Sequence, residues 1–203
     1  MIRHIISISG KDSLCTAIVQ KQFYPQYSYE YVFSDTGVEL PATYEWLNHV
    51  ETKLGIKIKR IGTNLHSLIE KQGYFIPSIN ARWCTRKSKI KPLMGYYGND
   101  PCLSYIGFRY DEKHRAKGIF TGNNIKHRFP LIENKIDLNG VWEILNHFQI
   151  SPPNFVWKRL ETEVLNQLSE EEKRFVSGLN LWQYNTLFSG RSRSNCYFCF
   201  FQR

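Results

Sequence analysis

The apolar and polar positions change rhythm sharply near the start of the chain. His4-Ile5-Ile6-Ser7-Ile8 is rich in isoleucine and stops at Ser9-Gly10-Lys11-Asp12-Ser13, after which Leu14, Ala17 and Ile18 recur at helical spacing. This predicts a buried strand over 3–9, a tight turn, and a helix over 11–23 whose N-terminus faces the turn. Free backbone N–H groups and the positive end of the helix dipole make such a turn a site for anions, and Lys11 and the serines add charge and donors. The rhythm repeats. Tyr29 to Ser34 reads as a second buried strand and ends at Asp35-Thr36-Gly37. Residues 41–54 take helical spacing through Tyr44, Leu47, Val50 and Leu54, with Pro41 in the first turn and Gly55 as terminator. Residues 56–61 alternate with period two as a third strand, Leu65 to Lys71 forms a short helix, and Gly73 to Pro77 a loop. Residues 85–96 read as a basic helix and Cys102 to Gly107 as a fourth strand.

Strands alternating with helices predict an α/β fold, with a mostly parallel sheet flanked by helices. Such sheets bind ligands at the carboxyl ends of their strands, where this chain places polar clusters at 9–13, 35–37 and 107–112. Beyond 108 the pattern loosens. Residues 109–128 read as a charged loop. Asp137 or Asn139 caps a helix running to 149, and Ser151-Pro152-Pro153 breaks it. Further helices are expected over 155–168 and after the capping-box pattern Ser169-x-x-Glu172; a basic loop at 190–194 then leads into Cys196-Tyr197-Phe198-Cys199. The expected organisation is a nucleotide-binding α/β domain over 1–135 and a helical, cysteine-containing extension over 136–203, packed on the same domain.

Composition narrows the partners. The formal charge is +9, from 27 basic and 18 acidic residues, and basic residues cluster with aromatics at 82–91 and 109–128. Nucleic acid, or nucleotides steered to a basic cleft, would complement this; a solvated basic surface is the plainer alternative. No apolar window of about 18 residues exists, so no membrane span is expected. The first apolar run is too short for a signal peptide, which points to the cytoplasm. The five cysteines are then expected to be reduced and to serve packing, metal binding or catalysis.

The turn at 9–13 is not a G-x-x-x-x-G-K-[ST] loop. It resembles the S-G-G-K-D-S pyrophosphate loop of the N-type ATP pyrophosphatases, the adenine nucleotide alpha hydrolase superfamily. Phe33-Ser34-Asp35-Thr36-Gly37 with Thr43-Tyr44 resembles the D-T-G segment of the phosphoadenosine phosphosulfate reductase branch. Cys84-Thr85 with Lys87, Lys89 and Lys91-Pro92 resembles that branch's C-T-x-x-K-x-x-P stretch, and Gly107 to Arg115 its G-x-R-x-x-E-S-x-R segment. Phe129-Pro130-Leu131 and Arg193-Ser194-Asn195-Cys196-x-x-Cys199 match later landmarks, so the likeness runs in order over residues 4–202. Two departures matter. One glycine of the usual pair is absent, which leaves Ser7, Ser9 and Ser13 as alternative sources of the phosphate hydroxyls. The sequence also contains no E-C-G-x-H segment carrying the reductase's nucleophilic cysteine, which disfavours simple sulfonucleotide reduction. The pattern is closer to the nucleotide-activating type of DNA phosphorothioation systems.

The resemblance implies ATP and Mg2+ at a site using Ser7, Ser9, Gly10, Lys11, Asp12, Ser13, Asp35, Thr36, Gly37, Arg109 and Arg115, with Lys11, Asp12 and Arg109 as the catalytic set. On the residues alone, Asp12 and Asp35 could equally cap turns, and Arg109 and Arg115 could belong to a solvated basic loop. Cys196-x-x-Cys199 has metal-ligand spacing. Cys84 is the third candidate ligand, Cys102 a further one unless it is core, and Cys15 falls on an apolar helix face. The sulfur-transfer resemblance favours an iron–sulfur cluster, of the four-iron type, over zinc; free thiols are the other reading. The function expected is ATP-dependent activation of an acceptor by adenylation, with pyrophosphate release, for sulfur transfer in modification of DNA or tRNA. A sulfur donor such as a cysteine desulfurase would act with it. The alternatives are a reductase of phosphosulfate nucleotides and a non-catalytic nucleotide- or nucleic-acid-binding module.

Overall fold

The central strands of the sheet turn successive side chains to two buried faces, as a parallel sheet covered on both sides requires. The computed structural model describes residues 2–78, 81–119, 122–151 and 169–177. Its strands are β1 (Arg3–Ser7), β2 (Tyr29–Ser34), β3 (Ile58–Ile61), β4 (Cys102–Tyr105) and β5 (Ile125–Arg128). They pair in parallel in the order β3-β2-β1-β4-β5. The helices are α1 (Lys11–Phe23), α2 (Pro41–Leu54), α3 (Leu65–Lys71), α4 (Lys91–Tyr97), α5 (Pro130–Glu133), α6 (Leu138–His147) and α7 (Glu170–Ser177).

The order reverses at β1, which has β2 on one side and β4 on the other. Connections leaving neighbouring strands to opposite sides open a crevice at their carboxyl ends, and ligands of doubly wound sheets bind there. Ile6 and Ile8 join Tyr31 and Phe33 in the larger core, with residues of α1, α2 and α6, among them Leu14, Leu47 and Val141. Ile5 and Val32 face the other side, in a smaller cluster with Tyr97, Cys102 and Ile125. Ile5, Ile6 and Ile8 are fully buried, worth ~1.5–3 kcal/mol each.

Three local features differ from the sequence reading, and a fourth settles an alternative it left open. The charged stretch 109–128 is not simply a loop: Tyr110–Gly118 forms a 3-10 segment and Ile125–Arg128 the edge strand β5. Ile125 alone of β5 is buried, and an edge strand with one core-facing residue leaves no apolar rhythm to read. The basic helix at 85–96 begins as a π-helical turn, Thr85–Ile90, before α4, a deviation that often accompanies function. β1 and β4 end at Ser7 and Tyr105, two residues earlier than their patterns predict, so the loops at their carboxyl ends are longer, and β3 starts at Ile58 rather than 56. Asp137, not Asn139, caps α6, its Oδ1 accepting from Gly140 N at 3.0 Å. The expected helix over 155–168 and the Cys196-x-x-Cys199 pair lie outside the described residues.

Candidate functional site

The turn after β1 is closed by its own serine. Ser13 Oγ accepts hydrogen bonds from Ser9 N at 2.9 Å and Gly10 N at 3.1 Å, and donates to Gly10 O at 2.9 Å. A neutral hydroxyl oxygen thus takes two loop amides of the kind that bind anions. The N–H groups of Lys11, Asp12 and Ser13, in the first turn of α1, have no intrahelical acceptor and aim out of the helix end.

The loop after β4 packs directly on this helix end. A Cβ on Gly107 would lie 2.7 Å from Ser13 N and 2.8 Å from Asp12 C, so only glycine brings the two loops so close. Two residues on, Arg109 reaches across, its Nη1 3.3 Å from Asp12 Oδ2. Lys11 Nζ is 3.0 Å from the same oxygen. Arg109 also grips Asp111 with two hydrogen bonds, at 3.0 and 2.9 Å. That pairing, with Asp12 and Glu112 nearby, raises the Arg109 pKa, and Arg109 in turn lowers that of Asp111. Arg115 stands further out, 2.8 Å from Glu112 and stacked 4.3 Å over the Phe108 ring.

Asp12 Oδ2 is therefore shared by two cations, while Asp12 Oδ1 is buried without a hydrogen-bond partner. A buried carboxylate oxygen left open suits a hard cation that takes oxygen ligands, so the residues present fit Mg2+.

After β2, Asp35 organises a turn. Its Oδ1 accepts from Gly37 N and from Tyr44 OH, both at 2.8 Å. Gly37 has φ +70, where a side chain is strained, and a Cβ there would meet the Asn64 side chain at 2.5 Å. Burial, reinforced by Asp35, raises the Tyr44 pKa. Thr36 is fully buried and its hydroxyl donates to Glu39 Oε1 at 2.9 Å. The Thr36 hydroxyl thereby ties the loop after β2 together.

Between the ends of β1 and β2, on the α4 face, lies a cleft of about 250 Å3 lined by Ser7, Ser9, Phe33, Ser34, Glu39 and Lys89, with Ile90 and Leu93. Glu39 is buried and lies 3.3 Å from Lys89 Nζ. Sequence reading passed over Glu39 and gave Lys89 no individual role. The available signal was a lone carboxylate in the apolar run Val38-Glu39-Leu40, all three of which are buried.

Of the cysteines, Cys15 is fully buried in α1 and its thiol is pushed up to about 12 by burial. Cys102 takes the core role: it starts β4 beside Arg3, at the amino end of the sheet, and is buried. Cys84 is half-buried where the π-helical turn begins, and its carbonyl accepts from Ser88 Oγ at 2.7 Å. Among the described residues no three His, Cys, Asp or Glu side chains group as a metal site. No helix among them is long and apolar enough to cross a membrane.

The fold has a solved counterpart. Phosphoadenylyl-sulfate reductase from Candida auris, crystallised with phosphate, superposes with a TM-score of 0.55 at 14% identity, covering 76% of each chain. The U34-tRNA thiolase NcsA from Methanococcus maripaludis, solved with its [4Fe-4S] cluster, gives 0.49 at 15% identity, covering 93% of this chain and 70% of that one. An uncharacterized protein of Methanocaldococcus jannaschii is 36% identical over 112 residues, 53% of this chain but only 23% of the relative's length. The family model of the phosphoadenosine phosphosulfate reductase domain matches residues 3–147, from β1 through α6, and the chain belongs to that family.

Proposed function

We propose that this protein binds ATP across the carboxyl ends of β1, β2 and β4 and activates an acceptor by adenylation, for sulfur transfer in nucleic-acid modification. The observation that carries the reading is the joining of the Ser9–Ser13 turn to Arg109, through the close packing at Gly107 and the shared carboxylate of Asp12. The amides of Lys11, Asp12 and Ser13 and the Lys11 ammonium would hold the β- and γ-phosphates. The cleft lined by Ser7, Ser9 and Ser34 would take the rest of the nucleotide. An acceptor oxygen attacks the α-phosphorus, the bond to the bridging oxygen breaks, and its electron pair leaves with pyrophosphate. Lys11 and Arg109 stabilise the charge that builds on the leaving group. A sulfur nucleophile then attacks the acceptor atom that bears the adenylated oxygen, and the bond to that oxygen breaks as AMP leaves. Mg2+ held at Asp12 would supply charge neutralisation on the phosphates.

An iron–sulfur cluster would need Cys84 together with Cys196 and Cys199, with Cys84 the described thiol outside the core. Its chemistry would be to carry sulfur or hold a donor's sulfide. The large positive charge supports a nucleic-acid acceptor, DNA or tRNA. A reductase of phosphosulfate nucleotides is the second reading, favoured by the family itself.

The test is to incubate the anaerobically purified protein with ATP, a cysteine desulfurase with cysteine, and nucleic acid, and to quantify AMP, pyrophosphate and iron. The reading expects AMP and pyrophosphate in equal amounts and iron that falls in Cys196→Ala. Sulfite released from adenylyl sulfates without ATP would favour the reductase. No iron and no AMP would contradict the reading.

A further inference from the structure

Beyond α3 the chain makes a turn that serves no core. Gly73 and Tyr74 both adopt left-handed backbone, φ 63 and 61, and Tyr74 N donates to Ile69 O at 2.9 Å, which fixes the turn to the helix. A bulky residue with positive φ is strained, and such strain persists where the surroundings impose it, often at ligand sites. Here it holds the ring in solvent: Tyr74 is 73% exposed, Phe75 56%, Ile76 54%, and Ile90 of the π-helical turn 49%. Lys87 bonds the Gln72 side chain and lies over the Trp83 ring, which ties this turn to the basic segment that follows. From residue 71 to residue 91 the sequence has six basic residues and no acidic one. Arg82, Arg86 and Lys91 are exposed, and Lys89 and Ile90 line the cleft at the strand ends.

We propose that the Gly73–Ile76 turn and the segment 82–91 form a docking surface for single-stranded nucleic acid leading into the cleft. Bases stack on Tyr74 and Phe75, and Arg82, Arg86 and Lys91 pair with the phosphates. This deepens, and rests on, the reading of the acceptor as nucleic acid. The chemistry favours a nucleic acid over a protein partner: protein interface cores are depleted of charge, whereas aromatic rings in a one-sign basic tract are what a single strand engages. A duplex buries its base faces in its own stack and offers these rings nothing.

The test is fluorescence anisotropy of the full chain with labelled single-stranded RNA and DNA of about fifteen nucleotides, near the upper site size of a stacking groove. Tyr74→Ala and Phe75→Ala should each weaken binding at least about fivefold, and Tyr74→Trp should keep it. Arg86→Ala with Lys91→Ala should flatten the log-affinity against log-salt plot by about 0.7 per cation removed. ATP binding by calorimetry should be unchanged in all of them. The inference is overturned if the wild type binds no single strand, if both ring variants bind as the wild type does, or if a duplex competes equally. Loss of stimulation by a protein sulfur donor, with strand binding intact, would assign the surface to a protein and overturn it too. Strand binding on this surface with no AMP formed would leave the docking inference standing and refute the adenylation reading.

Discussion

The two ends of the sheet use the same chemistry to opposite purposes. At the amino end, Arg3 meets Glu30 in a bidentate pair at 2.7 and 2.6 Å, Tyr96 OH donates to Glu30 at 2.6 Å, and Arg3 Nη1 reaches the carbonyls of Tyr96 and Tyr97. His4 bonds Tyr105 OH at 2.7 Å and stacks on Tyr27. Charge meets complement, and rings seal the set. At the carboxyl end, Lys11 and Arg109 converge on one oxygen of Asp12, the other oxygen is buried and open, and a cleft lies alongside. A closed network stabilises a fold; a network with an unfilled acceptor and free helix amides is prepared for something that is not protein.

The largest effect that would break this contrast is at Lys11. Lys11→Ala should lower pyrophosphate release by ~10²–10³-fold in a single-turnover assay with little change in melting temperature, since it removes a group aimed at developing charge. Next comes Gly107→Ala. The added Cβ must displace backbone at 2.7–2.8 Å, an overpacking cost of ~1–3 kcal/mol that should weaken ATP binding about tenfold by calorimetry. At the amino end, Glu30→Gln should reduce stability by about 1 kcal/mol in urea unfolding, discounted because the pair is partly exposed, and leave turnover untouched.

Acid pH provides a milder probe. Arg3, Arg109 and Arg128 lower the pKa values of Glu30, Asp111 and Glu133 in the folded state, from ordinary values of 4.5, 3.8 and 4.5. Their contribution is complete above those ordinary values and is lost as pH falls through the lower, folded ones. The contribution of these three pairs should be flat above about pH 5 and decline below it, with Glu30→Gln giving a shallower decline than the wild type. The smallest effect is chemical. In folded protein freed of iron, at neutral pH, iodoacetamide should label Cys84 while Cys15 and Cys102 stay unmodified by mass spectrometry, because burial raises both thiols.

Much of the fold was legible because β1, β2 and their following helices carry their own punctuation. The isoleucine run stops at Ser9-Gly10, and Gly55 sits with φ 59 at the end of α2, where sequence placed the terminator. The edge strand β5 was not legible, since one buried residue in four makes no period. At the site, the three loops were foreseen as neighbours from the rule for strand ends, and the structure gathers two of them directly, through Gly107 and Arg109. What no local pattern could announce was long-range: Arg109 choosing Asp12, 97 positions away, and Lys89 reaching Glu39, 50 away. The Thr36 hydroxyl, turned inward to Glu39, is a contact of the same hidden kind: the motif around it does not announce that partner.

The central claim is that the Ser9–Ser13 turn holds a nucleotide's phosphates. Isothermal titration of ATP with Mg2+ into the wild type, Lys11→Ala and Asp12→Asn tests it most directly. The account predicts one saturable site in the wild type, weakened at least about tenfold by Lys11→Ala, with the Mg2+ dependence of binding lost in Asp12→Asn. Wild-type protein that takes up no ATP, or a Lys11→Ala variant that binds it as tightly as the wild type, would contradict it.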